Sequence, residues 1–153
     1  MYKRQPQISV STEDAKVSTL KSNLSGMRSA LEIYYAQHDN KYPGQTKDDG
    51  TDNYTAPDAA AAKTAMLKQL TQYTEISGKV AAVKSATAKY GPYIKGPTLP
   101  SNPFVTVAAD AVDVECNVTA DITLARAAST DKGWKYHFMT GVFYAGTAAH
   151  LAY

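Results

Sequence analysis

Apolar positions recur at Val17, Leu20, Leu24, Met27 and Leu31, then at Tyr34 or Tyr35, and at His38. Steps of three and four return to one side of a 3.6-residue turn, so the pattern predicts an α-helix with a single apolar stripe. Ser11 and Thr12, with Asp14 three residues after Ser11, offer an amino-terminal cap, and Glu13 and Asp14 suit the positive end of the helix dipole. Asn40 can take the left-handed conformation that ends a helix, and Pro43 forbids its resumption. The predicted span, from about Thr12 to about Asp39, is about 28 residues or roughly 42 Å, two to three times the usual globular length. Gly26 lies inside it at a cost of roughly 1 kcal/mol relative to Ala, which tertiary packing can absorb.

Residues 44–57 are polar and turn-rich. A second helix is predicted near 58–75, capped by Asp58, with Ala62, Met66, Leu70 and Tyr73 on one face and Gly78 where a carboxyl-terminal cap belongs. Residues 79–90 read equally as a helical turn or as extended chain. Pro92, Gly96, Pro97, Pro100 and Pro103 then exclude a helix interior and predict an ordered, extended crossing.

Beyond the crossing the period falls to two. Val112, Val114, Cys116 and Val118 alternate with polar residues, and Trp134, Tyr136 and Phe138 alternate with Lys135 and His137 before a turn at about Met139 to Gly141. The second run predicts a hairpin, whereas the stretch TADITLARAAS between the runs fits a short helix or a strand. The fold class that follows is α+β: a long amino-terminal helix packed against a carboxyl-terminal antiparallel sheet, with a helical connecting segment. A strand of five or six residues spans less than about 20 Å, so the sheet covers about half of the helix. The remainder of the stripe needs another partner.

With 153 residues, 44% of them hydrophobic, the chain is sized for one domain over residues 1–153 that buries a core without staples. Met1 to Gln5 read as an expression remnant outside the fold. The 16 basic and 14 acidic residues are dispersed, without the like-charge block that tracks a phosphate backbone, so no nucleic-acid partner is expected. Cys116 stands alone, which excludes an intramolecular disulfide. No run reaches the roughly 18 apolar residues of a membrane span, and no signal-peptide core follows Met1.

Catalytic chemistry has little to stand on. His38, His137 and His150 are far apart in sequence, and Cys116 falls on the apolar face of a predicted strand, where a thiol belongs to the core. The chain lacks the G-x-S-x-G, Walker-type, dinucleotide and H-E-x-x-H signatures, so no enzyme activity and no cofactor are expected. Asp48, Asp49 and Asp52 around Gly50 offer hard oxygen donors, but without the spacing and closing Glu of a calcium loop they read as a solvated turn. The eleven tyrosines, among them Tyr34, Tyr35, Tyr42, Tyr90 and Tyr93, read as core and boundary packing.

Three segments, in order, resemble the type IV pilin-like proteins, especially the pseudopilins of type II secretion. LKSNLSGMRSALEIYYAQHDNKYPG is similar to their first soluble helix through Leu20, Leu24, Leu31, Tyr34, Tyr35, Asp39, Tyr42 and Pro43. YGPYIKGPTLPSNPF looks like their Leu-Pro-x-x-Pro crossing through Leu99, Pro100, Asn102, Pro103 and Phe104, and GWKYHFMTGVFYAG looks like their closing hairpin through Gly133, Trp134, Tyr136, Thr140 and Gly141. The resemblance implies a full-length form that begins with an apolar segment of about 20 residues, with Pro6-Gln7-Ile8 as its last remnant here. It implies storage in the bacterial inner membrane, then assembly into a periplasmic or extracellular homo-oligomeric filament with other pilins or pseudopilins and an inner-membrane assembly platform. It places Val17, Leu20, Leu24, Met27 and Leu31 on the assembly face of the helix, and it carries over no metal residues. A minor, tip-located pilin with an adhesive or ligand-binding role is the alternative, suggested by the long insertion after Phe104.

Overall fold

The computed structural model describes residues 8–52, 58–117 and 131–151, with side chains from Thr12 onward. A long helix, α1 (Ile8–Gln37), is followed by a second, α2 (Ala59–Thr71), a two-stranded ribbon of β1 (Tyr73–Thr74) and β2 (Val80–Ala81), and one helical turn, α3 (Ala108–Ala111). The chain closes with β3 (Val114–Asn117), β4 (Trp134–His137) and β5 (Val142–Ala145), and then a 3₁₀ turn at Ala148–His150. The fold is α+β, with the long helix laid on a carboxyl-terminal sheet.

The 30 residues of α1 begin a turn earlier than the expected cap. Ser11 and Thr12 lie inside the helix, because each costs only a few tenths of a kcal/mol there relative to a good helix former and the helix is already propagating. Its end is double. Asp39 and Asn40 both take positive φ, 51° and 58°, and the Asn40 amide donates back to the Tyr35 carbonyl in a Schellman-type closure.

Asp58 caps α2 as expected, accepting from the Ala60 and Ala61 amides. The other end departs from expectation, because Gln72 and not Gly78 is the carboxyl-terminal cap. The Leu70 carbonyl accepts from the amides of Tyr93 and Ile94, so the proline-rich crossing satisfies the helix end and the chain leaves early for β1. Tyr73 therefore belongs to a strand. Gly78, at φ 86°, makes the tight turn between β1 and β2, and residues 79–90 are extended rather than helical.

The main sheet has the order β3-β4-β5. β4 and β5 form the expected hairpin, but β3 runs parallel to β4, so the sheet is mixed and not wholly antiparallel. Alternation marks a strand without giving its direction, and the long connection between β3 and β4 permits a parallel crossover. Val118 and TADITLARAAS fall in that connection and lie outside the described residues.

The register places Val114, Cys116, Trp134, Tyr136, Phe143 and Ala145 on one face. These side chains form one core with Leu20, Leu24, Met27 and Leu31 of α1, Ala62, Met66 and Leu70 of α2, and Leu99 of the crossing. The opposite face of β4 is not open to water as the alternation suggested, since Lys135 and His137 are both buried. As the central strand, β4 has neighbours on both edges and cover on both faces.

Candidate functional site

The stripe residues divide by depth. Leu20, Leu24, Met27 and Leu31 are each 1% exposed or less, whereas Val17 is half-buried. The four deeper side chains of the assembly face expected from the sequence therefore lie in the domain's own core. The reason is geometric: β5 lies under α1, and the Phe143 and Ala145 side chains fill the stripe.

Two surfaces of α1 are left uncovered. The first is its beginning. Thr12 to Thr19 are exposed apart from Val17, so these eight helical residues ahead of Leu20, roughly 12 Å, stand clear of the core. The Lys16 ammonium lies 5.9 Å from the centre of the Phe104 ring.

The second surface is the outer side of the remaining helix. Ser18, Ser22, Ser25, Gly26 and Ser29 are all exposed, Ile33 is 51% exposed, and beyond the helix's own neighbouring backbone nothing lies within 4 Å of where a Gly26 Cβ would stand. A groove of about 540 Å³ runs beside them, lined by Lys21, Leu24, Ser25, Arg28, Ser29 and Glu32. The Arg28 Nε donates to the Phe143 carbonyl and pins this edge to β5. The Tyr42 hydroxyl donates to Glu32 Oε1, and burial followed by that carboxylate pushes the phenol up to about 12. Small side chains let another backbone approach closely, and sequence reasoning missed this face because it searched for apolar positions.

At the far end of α1 a polar hub fixes the loops. Gln69 is fully buried; its Oε1 accepts from the Gly44 amide at 2.8 Å, and its Nε2 donates to the carbonyls of Gly78 (2.9 Å) and Thr46 (3.1 Å). A buried amide has the donors and acceptor to hold three chain segments at once.

The remaining candidate groups are dispersed. His38 sits at the end of α1, His137 shares its Nδ1 with the Thr140 hydroxyl, and His150 pairs with Thr147 and stacks on Phe104 at 3.9 Å. Burial pushes the Cys116 thiol up to about 12, which keeps it protonated and unreactive. Asp48, Asp49 and Asp52 are engaged by Lys68, Thr51 and Lys41. Among the described residues no group of three acid, histidine or cysteine side chains is arranged to hold a metal ion, and no helix is long and apolar enough to cross a membrane.

Compared with protein-family models, with curated proteins and with solved structures, the chain finds no match.

Proposed function

We propose that this chain is the folded domain of a filament subunit of the type IV pilin-like class, a pseudopilin of type II secretion or a pilin, whose work is mechanical and not catalytic. The observation that carries the reading is the division of α1. Its distal half is bound into the domain by Leu20, Leu24, Met27 and Leu31, while most of Thr12 to Thr19 and the outer residues Ser22, Ser25, Gly26, Ser29 and Ile33 are exposed. The exposed beginning of α1 is, on this reading, a surface that a neighbouring chain covers.

In this reading sister subunits meet the outer face, at Ser18, Ser22, Ser25, Gly26, Ser29 and Ile33, and the extension beyond Val17. The leucine stripe holds the head on the helix. Other pilins and an inner-membrane platform are the remaining partners, with storage in the inner membrane before assembly. The order along the chain of striped helix, proline-rich crossing and closing hairpin adds support.

Antibodies raised against the folded domain test the reading on producing cells by immunogold electron microscopy. Gold along thin filaments, or in the cell envelope at positions where filaments emerge, is the expected result. Label dispersed through the cytoplasm, with none in the envelope or on filaments, overturns it.

A further inference from the structure

One imidazole joins the end of α1 to two other parts of the fold. His38 is buried and stacks on Tyr34 with ring centres 3.7 Å apart and planes within 3°, while Tyr90 and Tyr93 close around it at 5.3 and 6.1 Å. Its Nδ1 lies 2.9 Å from the Tyr34 carbonyl, and its Nε2 lies 2.9 Å from the Thr74 hydroxyl. A carbonyl only accepts, so Nδ1 carries the proton and donates; Nε2 is then the acceptor, and the Thr74 hydroxyl donates to it.

We propose that His38 is an acid-sensitive latch: as the neutral imidazole it fastens the end of α1 to β1 and to the Tyr90–Ile94 stretch, and on protonation it releases them. Thr74 and Tyr90 exchange backbone hydrogen bonds, so β1 and the start of the crossing move as one flap, and the amides of Tyr93 and Ile94 tie that flap to the Leu70 carbonyl at the end of α2. Besides the His38 contacts, the flap is held by the Tyr93 hydroxyl, which donates to Gln37 Oε1, by the Gln69 amide, which donates to the Gly78 carbonyl, and by the Val80 amide, which donates to the Asp48 carbonyl.

The charged surroundings do not stabilise a buried imidazolium. From α1 the facing groups are Asp39, which is exposed, and the Tyr34 ring. From the end of β1 it is Glu75, whose carboxylate accepts from the Thr87 hydroxyl, and from the crossing they are Tyr93 and Tyr90, the latter with the Lys89 ammonium 5.4 Å from its ring centre. Among the described residues no carboxylate pairs with the imidazole. The helix carboxyl terminus favours a cation, and so do the Tyr34 carbonyl, a backbone contact from Glu75 and the charge of Asp39, yet burial outweighs them and holds His38 below the ordinary histidine range.

The sign follows from linkage. The group binds its proton more weakly folded than open, so the latch is fully closed above about pH 6.5 and weakens as the pH falls through the folded value. One proton sets the limit, an opening equilibrium that rises at most tenfold per pH unit.

Amide hydrogen exchange from pH 7.5 to pH 5, corrected for its intrinsic pH dependence, reads the opening segment by segment, and an NMR titration of the imidazoles reads His38 directly. The expected result is loss of protection in residues 73–81 and 90–94, approaching tenfold per unit below pH 6.5, while Met27 and Trp134 stay protected. His38→Asn keeps a donor to the Tyr34 carbonyl without a titrating ring, and in it the acid-dependent opening disappears. Unchanged protection of both segments in acid, persistence of the opening in His38→Asn, or a His38 that titrates at or above 6.5 with the flap closed would each overturn the proposal. The first and third outcomes are read on the unaltered chain, so they stand even where the variant does not fold.

Discussion

Truncating the leucine stripe separates a helix face that holds the domain together from one that waits for a neighbour. Leu24 and Leu31 are both 1% exposed, but only Leu24 lines the groove beside α1. Leu→Ala substitutions in a closed core cost about 2 to 5 kcal/mol, the upper part of the range belonging to sites that cannot collapse or admit water. Leu31→Ala leaves an enclosed apolar void and is expected near 3 to 5 kcal/mol. Leu24→Ala opens the void toward the groove and is expected lower, about 2 to 3 kcal/mol. Urea unfolding followed by the fluorescence of Trp134, the single tryptophan and fully buried, reads both on the isolated domain. With a slope of about 2 kcal/mol/M the midpoint falls by roughly 1 to 2.5 M. Ser25→Ala, on the outer face, stays within about 0.5 kcal/mol of the parent. If both leucine variants fall by less than about 0.5 M, the stripe is not the fastening between helix and sheet, and the assignment of outer and inner faces collapses with it.

Three further outcomes follow from the same coordinates. Gln69→Leu keeps the volume but removes the amide from the Gly78 and Thr46 carbonyls, and a loss of about 2 to 5 kcal/mol in the same urea assay is expected. Gly78→Ala places a methyl 2.1 Å from Thr46 Oγ1 at a φ of 86°, so a loss of roughly 2 to 4 kcal/mol is expected, with a lowered Tm in calorimetry. Partial burial works to raise the Asp113 carboxyl, but hydrogen bonds from Lys63, the Val114 amide and Lys132 outweigh it and hold the group below its ordinary value. Its contribution to stability is thus complete above the unfolded carboxylate value and is lost as pH falls through the folded one. Asp113→Asn should accordingly differ from the parent at pH 7 and converge on it near pH 2 in thermal melts.

The helices were the most legible part of the sequence, because each carries several turns of period and chemically explicit boundaries. Asp58 caps α2 as its place in the sequence suggests, and Asn40 takes the left-handed turn assigned to it. The two-residue strands β1 and β2 were beyond reach, since alternation needs several residues to declare itself. Gly78 was misplaced for a related reason: a positive φ serves a helix end and a tight turn equally, and the pairing that decides between them is non-local. The direction of β3 was equally hidden, and Lys135 and His137 read as water-facing because polarity was taken for exposure. At the candidate site the apolar spacing gave the stripe correctly but not the surface that covers it. The serines and Gly26 opposite were in plain view and carried the complementary signal, that of a face small enough for close approach.

The proposed filament role requires that the Thr12-to-Thr19 region of α1, mostly exposed in the isolated domain, is covered on assembly. Ser18→Cys reports on it directly, because the one native thiol, Cys116, is buried and held protonated. Maleimide labelling of Ser18→Cys should be rapid in the purified domain and at least tenfold slower in intact producing cells, with Cys116 silent in both. Equal labelling in the two settings would mean that nothing shelters the helix, and would contradict the account.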